Sequence, residues 1–275
     1  MTVWLNGTLV DDAIAAVSVF DHGLTVGDGV FETLLAYPDT GLAFAAEHLA
    51  RLRRSAAGLG LTVPFDDLAL AEAMAAVVAS HRGDASARVR VRLTVTGGPA
   101  PLGSDRGTGG PTVIVVGAPQ VPWSPAASLA PVPWPRSELS AVAGLKTTSY
   151  AENVIALRVA REAGAEEALF CDLQGRVCEG TGSNVFACID GQLVTPTLAT
   201  GCLAGVTRGV VLDCGDAEEH DFSLSQLAAA SEVFITSTTR EVQPVHEIIG
   251  LQVWDTPGPV AAAAAAAYTE ARLAE

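Results

Sequence analysis

Apolar and polar residues alternate most regularly in residues 87–96. One set of alternate positions is apolar, and the other carries arginine and threonine. A period of two residues predicts a strand that buries one face and leaves the other face polar. The predicted buried face comprises Val89, Val91, Leu93 and Val95.

Other stretches have the apolar spacing of helices or of short paired strands. Helices are predicted at residues 47–59, 66–81, 153–161, 206–212 and 260–273, and Gly83 is expected to end the second of them. Strands are predicted at residues 3–5, 8–10, 30–37, 42–44, 112–116, 167–171, 185–194 (a hairpin) and 232–236. Because the elements mix without a regular βαβ succession, the expected fold class is α+β with largely antiparallel sheets.

Glycine and proline are concentrated in residues 97–110 and again in residues 117–125. The first stretch predicts a long loop of the kind that often carries function. The prolines of the second stretch predict an extended linker, which places a domain boundary near residue 119. The expected domains are a smaller one at residues 1–119 and a larger one at residues 120–275, which contains Lys146.

The composition excludes several classes of protein. Hydrophobic residues make up 49% of the 275 positions and charged residues 17%, which excludes a disordered chain. A formal charge of −15 repels phosphate backbones and anionic lipids, so neither nucleic acid nor membrane is an expected partner. The first residues lack the basic and apolar pattern of a secretory signal, so no leader is expected. No apolar run reaches membrane length, and the five cysteines form no C-x-x-C pair. These features predict a cytoplasmic chain with reduced thiols and no metal site.

Lys146 is the only lysine in the chain, and every other strongly basic side chain is arginine. An amine can lose its proton and attack a carbonyl to form a Schiff base, which a guanidinium cannot do. A chain that otherwise uses arginine for charge therefore has a chemical reason to keep this lysine. The alternative is compositional drift that left one lysine by chance.

Three further segments suit a cofactor with a ring and a phosphate. Glu179 lies in the short, glycine-rich stretch 177–184, where a small loop is expected. Residues 205–208 open a predicted helix and residues 236–240 end a predicted strand, and both offer hydroxyls and backbone N–H groups to an anion. Together with a Schiff-base lysine, these segments match the needs of pyridoxal 5′-phosphate. Singly, each has an ordinary interpretation: Glu179 as a turn residue, Thr207 as a helix N-cap and Thr238 as a strand-end residue.

In this order, the motifs resemble the class IV, fold-type IV pyridoxal-phosphate enzymes. That family comprises branched-chain aminotransferases, D-amino acid aminotransferases and 4-amino-4-deoxychorismate lyases. The matching segments span most of the chain. They are Asp21-His22-Gly23-Leu24, Gly27-Asp28-Gly29-Val30-Phe31-Glu32, His48-Leu49-Ala50-Arg51-Leu52, Leu145-Lys146, Cys178-Glu179-Gly180, Asn184-Val185-Phe186, Gly205-Val206-Thr207-Arg208 and Ser237-Thr238-Thr239.

The resemblance implies a role for each matching residue. Lys146 is expected to form the Schiff base with pyridoxal 5′-phosphate, and Glu179 to face its pyridine nitrogen. The phosphate is expected to meet Arg51, Val206, Thr207 and Thr238. The resemblance also implies two domains with the active site between them, and a homodimer in which one loop comes from the neighbouring subunit. For Arg51 the alternative is a solvated helix-face residue.

Fewer residues bear on the reaction. The compact length is similar to that of the lyases and the D-amino acid aminotransferases. The latter carry a carboxylate-binding arginine where this chain has Gly97-Gly98. Residues 96–107 and 146–153 resemble chains described as aminodeoxychorismate lyases. The expected function is therefore a 4-amino-4-deoxychorismate lyase, which eliminates pyruvate to give 4-aminobenzoate for folate biosynthesis. The alternative is a class IV aminotransferase, of branched-chain or D-amino acid type, acting on an amino acid and a 2-oxo acid.

The small-molecule amine substrate expected for the lyase carries two carboxylates, so arginines are expected near it. Arg106, in the long loop, and Arg136 are the candidate substrate residues, with surface arginines as the alternative interpretation. The arginines of the strand at residues 88–92 share one face, which suits either a positive local field or a solvated sheet face. A competing hypothesis from another class is a catalytically inactive family member that serves as a binding or regulatory subunit.

Overall fold

The computed structural model describes residues 2–81 and 87–275, so Gly83, which was expected to end a helix, lies outside the described residues. The chain forms two compact units. Unit 1 extends to Val121 and takes in Leu145–Tyr150 and Glu275, and unit 2 comprises Pro122–Gly144 and Ala151–Ala274. Lys146 therefore belongs to unit 1, whereas a domain boundary near residue 119 would place it in the C-terminal domain. The reason is that its segment returns to pair with a strand of unit 1.

Unit 1 combines an antiparallel sheet with helices. Its described elements are β1 (Thr2–Leu5), β2 (Thr8–Asp11), α1 (His22–Thr25), β3 (Gly29–Tyr37), β4 (Gly41–Leu42), α2 (Ala45–Gly58), α3 (Asp67–Ser80), β5 (Val89–Thr96) and β6 (Thr112–Pro119). The strand order is β2-β1-β6-β5-β3-β4, and every neighbouring pair is antiparallel. Asp66 caps α3 by accepting a hydrogen bond from the Ala69 N–H at 2.8 Å, as expected for an N-cap aspartate.

The alternating strand predicted at residues 87–96 is confirmed as β5, which runs between β3 and β6. The predicted apolar face is the buried one, with Val89, Val91, Leu93 and Val95 at most 2% exposed. These side chains join the apolar faces of α2 and α3 in a single core. The opposite face of β5 carries Arg90, which is exposed, and Arg92, which is half-buried.

Unit 2 is built around a larger mixed sheet. Its elements are β7 (Ala127–Pro131), α4 (Ala151–Glu162), β8 (Glu167–Cys171), β9 (Val177–Gly180), β10 (Asn184–Ile189), β11 (Gln192–Thr195), α5 (Val206–Cys214), β12 (Glu218–Glu219), α6 (Leu224–Ala229), β13 (Glu232–Ser237), β14 (Glu241–Ile248), β15 (Gln252–Val253) and α7 (Pro259–Ala274). The order is β12-β11-β10-β13-β14-β7-β8-β9, with β15 on β14. The interior strand β7 runs parallel to both of its neighbours, β14 and β8.

The α+β prediction is confirmed, and two local expectations need correction. Glu179 lies in β9, opposite Phe170 of β8, rather than in a loop, because the glycines around it still allow ladder pairing. The strands β7 and β14 were not predicted at all. Both contain a proline, and proline in a sequence argues against a strand. In the structure, Pro131 is the last residue of β7, and Pro244 lies within β14.

None of the helices within residues 2–81 and 87–275 combines the length and the hydropathy that a bilayer crossing requires. Over the same residues, no group of three or more His, Cys, Asp or Glu side chains is placed to hold a metal ion.

Candidate active site

The segment around Lys146 is held against the first residues of β3 in unit 1. The Lys146 carbonyl accepts a hydrogen bond from the Phe31 N–H at 3.1 Å, and the Lys146 N–H donates to Ser55 Oγ of α2 at 3.1 Å. On the other side, the Thr148 N–H donates to the Gly29 carbonyl at 2.8 Å. Backbone pairing on both sides of Lys146 therefore fixes where its side chain begins.

Two basic side chains, those of Lys146 and Arg92, contact the ring of Phe31. Lys146 Nζ is 4.6 Å from the ring centroid, and the Arg92 guanidinium carbon is 3.6 Å from it. Tyr150 packs edge-on against the same ring, with centroids 5.2 Å apart. Burial lowers the pKa of Arg92, and Tyr150 opposes that shift. Among the described residues, the only hydrogen bond of the Arg92 side chain is to Thr94 Oγ1 at 3.3 Å, so a partly desolvated cation beside the amine lacks a carboxylate.

Arg51 belongs to a buried ionic cluster in unit 1. Its Nε donates to Glu32 Oε1 at 2.8 Å and its Nη2 to Glu32 Oε2 at 2.7 Å, a bidentate pair. His48 Nδ1 is also 2.7 Å from Glu32 Oε2. Burial acts to raise the pKa of Glu32, but Arg51 and then His48 outweigh it and lower that pKa to about 2. Burial lowers the pKa of His48. Glu32 acts to raise this pKa, whereas Arg51 and Lys146 lower it further.

Glu179 is anchored inside unit 2. Its Oε2 accepts a hydrogen bond from the Leu203 N–H at 2.9 Å, and its Oε1 lies 3.7 Å from Arg136 Nε. Arg136 also donates from Nη2 to Asn153 Oδ1 at 2.9 Å and stacks over the Phe170 ring at 4.0 Å. Arg136, whose role as a substrate residue stays a prediction, therefore lies beside Glu179, with no hydrogen-bond partner for its Nε among the described residues.

Unit 2 also carries the predicted phosphate residues. Val206 and Thr207 form the first turn of α5, whose N-cap Gly205 provides no side-chain hydrogen bond. The first N–H groups of this helix thus remain suited to an anion. Thr238 lies in the turn that follows β13.

Arg106 makes contacts that the sequence did not predict. Its Nε and Nη2 donate to the two carboxylate oxygens of Asp28 at 2.7 and 2.6 Å. Its remaining bonds go to the carbonyls of Leu59 and Gly60, at the end of α2. The hydrogen bond and charge of Asp28 raise the pKa of Arg106. In unit 1, Arg106 therefore ties the long loop to Asp28 and to α2.

Over residues 29–248 the chain matches the family model described as "Amino-transferase class IV". The chain belongs to the class IV aminotransferases. It is 34% identical to the D-alanine aminotransferase of Bacillus licheniformis, covering 94% of this chain and 93% of that one. It is 29% identical to the branched-chain-amino-acid aminotransferase of Pseudomonas aeruginosa, covering 91% and 86%. The branched-chain aminotransferase of Thermoproteus uzoniensis, solved with norvaline, superposes with a TM-score of 0.87 at 31% identity, covering 98% and 94%.

Class IV aminotransferases of fold type IV use pyridoxal 5′-phosphate, and the chain is an enzyme of this kind. The groups present fit the cofactor. A half-buried lysine amine, an anchored carboxylate and a helix N-terminus without a side-chain cap are the donors and acceptors it requires. In addition, the buried hydroxyls of Ser183 and Thr236 in unit 2 have no hydrogen-bond partner among the described residues, which is typical of a polar site built for a ligand.

Two features of the candidate site were not predicted from the sequence. Arg92 was noted only as one arginine of a polar strand face, and its contact with the Phe31 ring depends on the register of β3 and β5. Glu32 was quoted only as part of a motif. A carboxylate in stretch 30–36, where the only other polar residue is Thr33, was the one available signal that it has a buried basic partner.

Proposed function

We propose that the chain transfers an amino group between an α-amino acid and a 2-oxo acid. The observation that carries the proposal is its similarity to aminotransferases along nearly the whole length of both chains, including 34% identity to a D-alanine aminotransferase. The branched-chain enzymes are similar at comparable coverage, and Gly97-Gly98 replaces the arginine expected for a D-amino acid enzyme. We therefore propose a branched-chain or other apolar L-amino acid as the donor.

In this proposal, Lys146 Nζ binds the cofactor and then moves the proton of the substrate α-carbon. Glu179 holds a proton on the pyridine nitrogen, and Arg51, Val206, Thr207 and Thr238 hold the phosphate. Bound pyridoxal phosphate supplies an electron sink for the electron pair left on the α-carbon. The Phe31 ring, 4.6 Å from Lys146 Nζ, lies beside the amine and limits the space open to water there.

Arg92 is the best candidate to bind the substrate carboxylate. Its guanidinium shares a ring contact with Lys146, is partly desolvated and has no carboxylate partner among the described residues. A carboxylate bound there would supply the missing charge and receive two parallel hydrogen bonds. Arg106 is less available, because Asp28 and two carbonyls already occupy its donors.

The lyase prediction remains the competing proposal, and one assay separates the two reactions. The purified enzyme is given L- or D-amino acids with a 2-oxo acid and, separately, aminodeoxychorismate without an oxo acid. Amino transfer that depends on the oxo acid is the expected result. Release of pyruvate and 4-aminobenzoate without it would overturn the aminotransferase proposal. No turnover in either arm would overturn both proposed reactions.

Variants test the carboxylate site within the same assay. Arg92→Ala should raise KM for the amino acid about tenfold or more, because a charged hydrogen-bonded pair is lost. Arg90→Ala is the matched control, since Arg90 points from the same strand face but is exposed. If Arg106→Ala raises KM more than Arg92→Ala does, the sequence prediction of Arg106 as the substrate residue is favoured instead.

We also propose that the enzyme is a cytoplasmic homodimer, as the family resemblance implies. Support within unit 1 comes from large apolar side chains that are exposed close together in sequence. These are Ile14, Val17, Val19, Phe20, Leu24 and Val26. Sedimentation analysis should give twice the chain mass, and a monomer at micromolar concentration would contradict the proposal.

A further inference from the structure

A buried ion pair in unit 2 lies outside the groups assigned so far. Glu167, the first residue of β8, and Arg240, which follows the turn after β13, pair at 2.9 Å between Oε2 and Nη2. Both side chains are only 4% exposed. Burying two charges is costly unless all their donors and acceptors are satisfied, so the partners of this pair indicate what it does.

The second carboxylate oxygen of Glu167 binds the turn that follows Glu179. Oε1 accepts a hydrogen bond from the Thr181 N–H at 2.7 Å and another from the Thr181 hydroxyl. Gly180 passes so close that a Cβ there would lie 3.2 Å from Glu167 Cγ and 2.4 Å from Ser183 Oγ. Any displacement of Glu167 is therefore transmitted to the end of the strand that carries Glu179.

Arg240 closes the turn that carries Thr238. Its backbone N–H donates to Ser237 Oγ at 3.2 Å, across Thr238 and Thr239. Its side chain donates from Nη1 to Gln243 Oε1 and stacks over the Trp123 ring at 3.7 Å. These contacts, together with the pair to Glu167, hold the guanidinium within unit 2.

We propose that Glu167 and Arg240 are positioning residues for the cofactor, which hold the Glu179 strand end and the Thr238 turn in a fixed relation to each other. The inference rests on the proposed function, in which Glu179 serves the ring nitrogen and Thr238 the phosphate. The Glu167 carboxylate binds Thr181, after the Glu179 strand, through Oε1, and it binds Arg240, at the Thr238 turn, through Oε2. A single buried side chain therefore links the segment expected at the ring nitrogen to the segment expected at the phosphate.

The test compares the full-length protein with Glu167→Gln, Arg240→Met and the double variant. Asp172→Asn is the matched control, because Asp172 is also buried and pairs with Arg176 at 2.6 Å, but lies just beyond the other end of β8. Apparent Kd values are measured by equilibrium dialysis for pyridoxal 5′-phosphate and for pyridoxal, which lacks the phosphate. Stability is measured by urea unfolding of the same samples.

Each single variant should weaken pyridoxal 5′-phosphate binding about tenfold. Because the Thr238 turn is released, the affinity for pyridoxal 5′-phosphate should fall more than the affinity for pyridoxal. Asp172→Asn should change both Kd values by less than about twofold. The double variant separates positioning from simple stabilisation. Removing both charges restores stability, since no unpaired charge stays buried, but cofactor affinity should remain low.

Two results would overturn the inference. One is pyridoxal 5′-phosphate affinity within about twofold of the wild type in both single variants. The other is affinity that recovers together with stability in the double variant. Because the readout is cofactor binding, a protein that shows the expected losses but transfers no amino group would refute the proposed function and leave this inference intact.

Discussion

The carboxylate of Glu32 is fully buried against two basic side chains, and its charge state matters for the stability of unit 1. Its pKa of about 2 lies below the ordinary value of 4.5, because Arg51 and His48 stabilise the anion more than burial destabilises it. The unfolded chain therefore binds this proton first as the pH falls. The stabilisation by Glu32 is fully present above pH 4.5 and is lost as the pH approaches 2.

Glu32→Gln should lower the free energy of unfolding at pH 7 by about 3 kcal/mol, because it leaves Arg51 buried without its counter-charge. Urea unfolding of both proteins from pH 7 to pH 3 measures the effect. The difference between wild type and variant should stay constant down to pH 4.5 and then shrink, following the pKa of Glu32. Asp67→Asn, which breaks the exposed pair with Arg53, is the control and should cost less than about 1 kcal/mol. A difference that is independent of pH would contradict the assignment.

The same residues show what a sequence can reveal about single side chains. Lys146 stands out because it is unique, and Glu179 because glycines isolate it. The roles expected for Arg106 and Arg136 rested on charge alone. Their partners, Asp28 and Glu179, are distant in sequence, so only the folded chain shows which carboxylate each guanidinium meets. Charge is visible in a sequence, whereas the pairing of charges is a property of the tertiary structure.

At the scale of elements, periodic patterns predicted most helices and strands, including β5 and α3, because one buried face imposes a regular spacing. The pattern failed for β7 and β14, whose position inside a mixed sheet removes the alternation expected of half-exposed strands. The first turn of α5 was predicted correctly. Glycine at Gly205 is required there by packing, since a Cβ would lie 2.1 Å from Asn184 Oδ1.

Gly205, the N-cap of α5, and Gly209, inside α5, give a matched prediction. Gly205→Ala should destabilise the protein by about 1–3 kcal/mol, because Asn184 must move and lose its bond to the Leu203 carbonyl. Gly209→Ala, in the same helix, meets nothing within 4 Å and should add up to about 1 kcal/mol through helix propensity. Thermal unfolding of both variants checks the opposite signs. Equal shifts would show that the contact with Asn184 does not constrain Gly205.

At the scale of the whole molecule, the composition makes the central chemical claim directly measurable. The 275 residues contain one ε-amino group, that of Lys146. Borohydride reduction in the presence of pyridoxal 5′-phosphate converts a Schiff base into a stable secondary amine, so intact-mass analysis should find a single adduct per chain. Peptide mapping should place it at Lys146. Lys146→Arg retains the positive charge beside Phe31 but cannot form the bond, so this variant should gain no adduct and lose the visible absorbance of the cofactor. An adduct of equal yield in the variant would assign the label to the chain's terminal amine and refute the role proposed for Lys146.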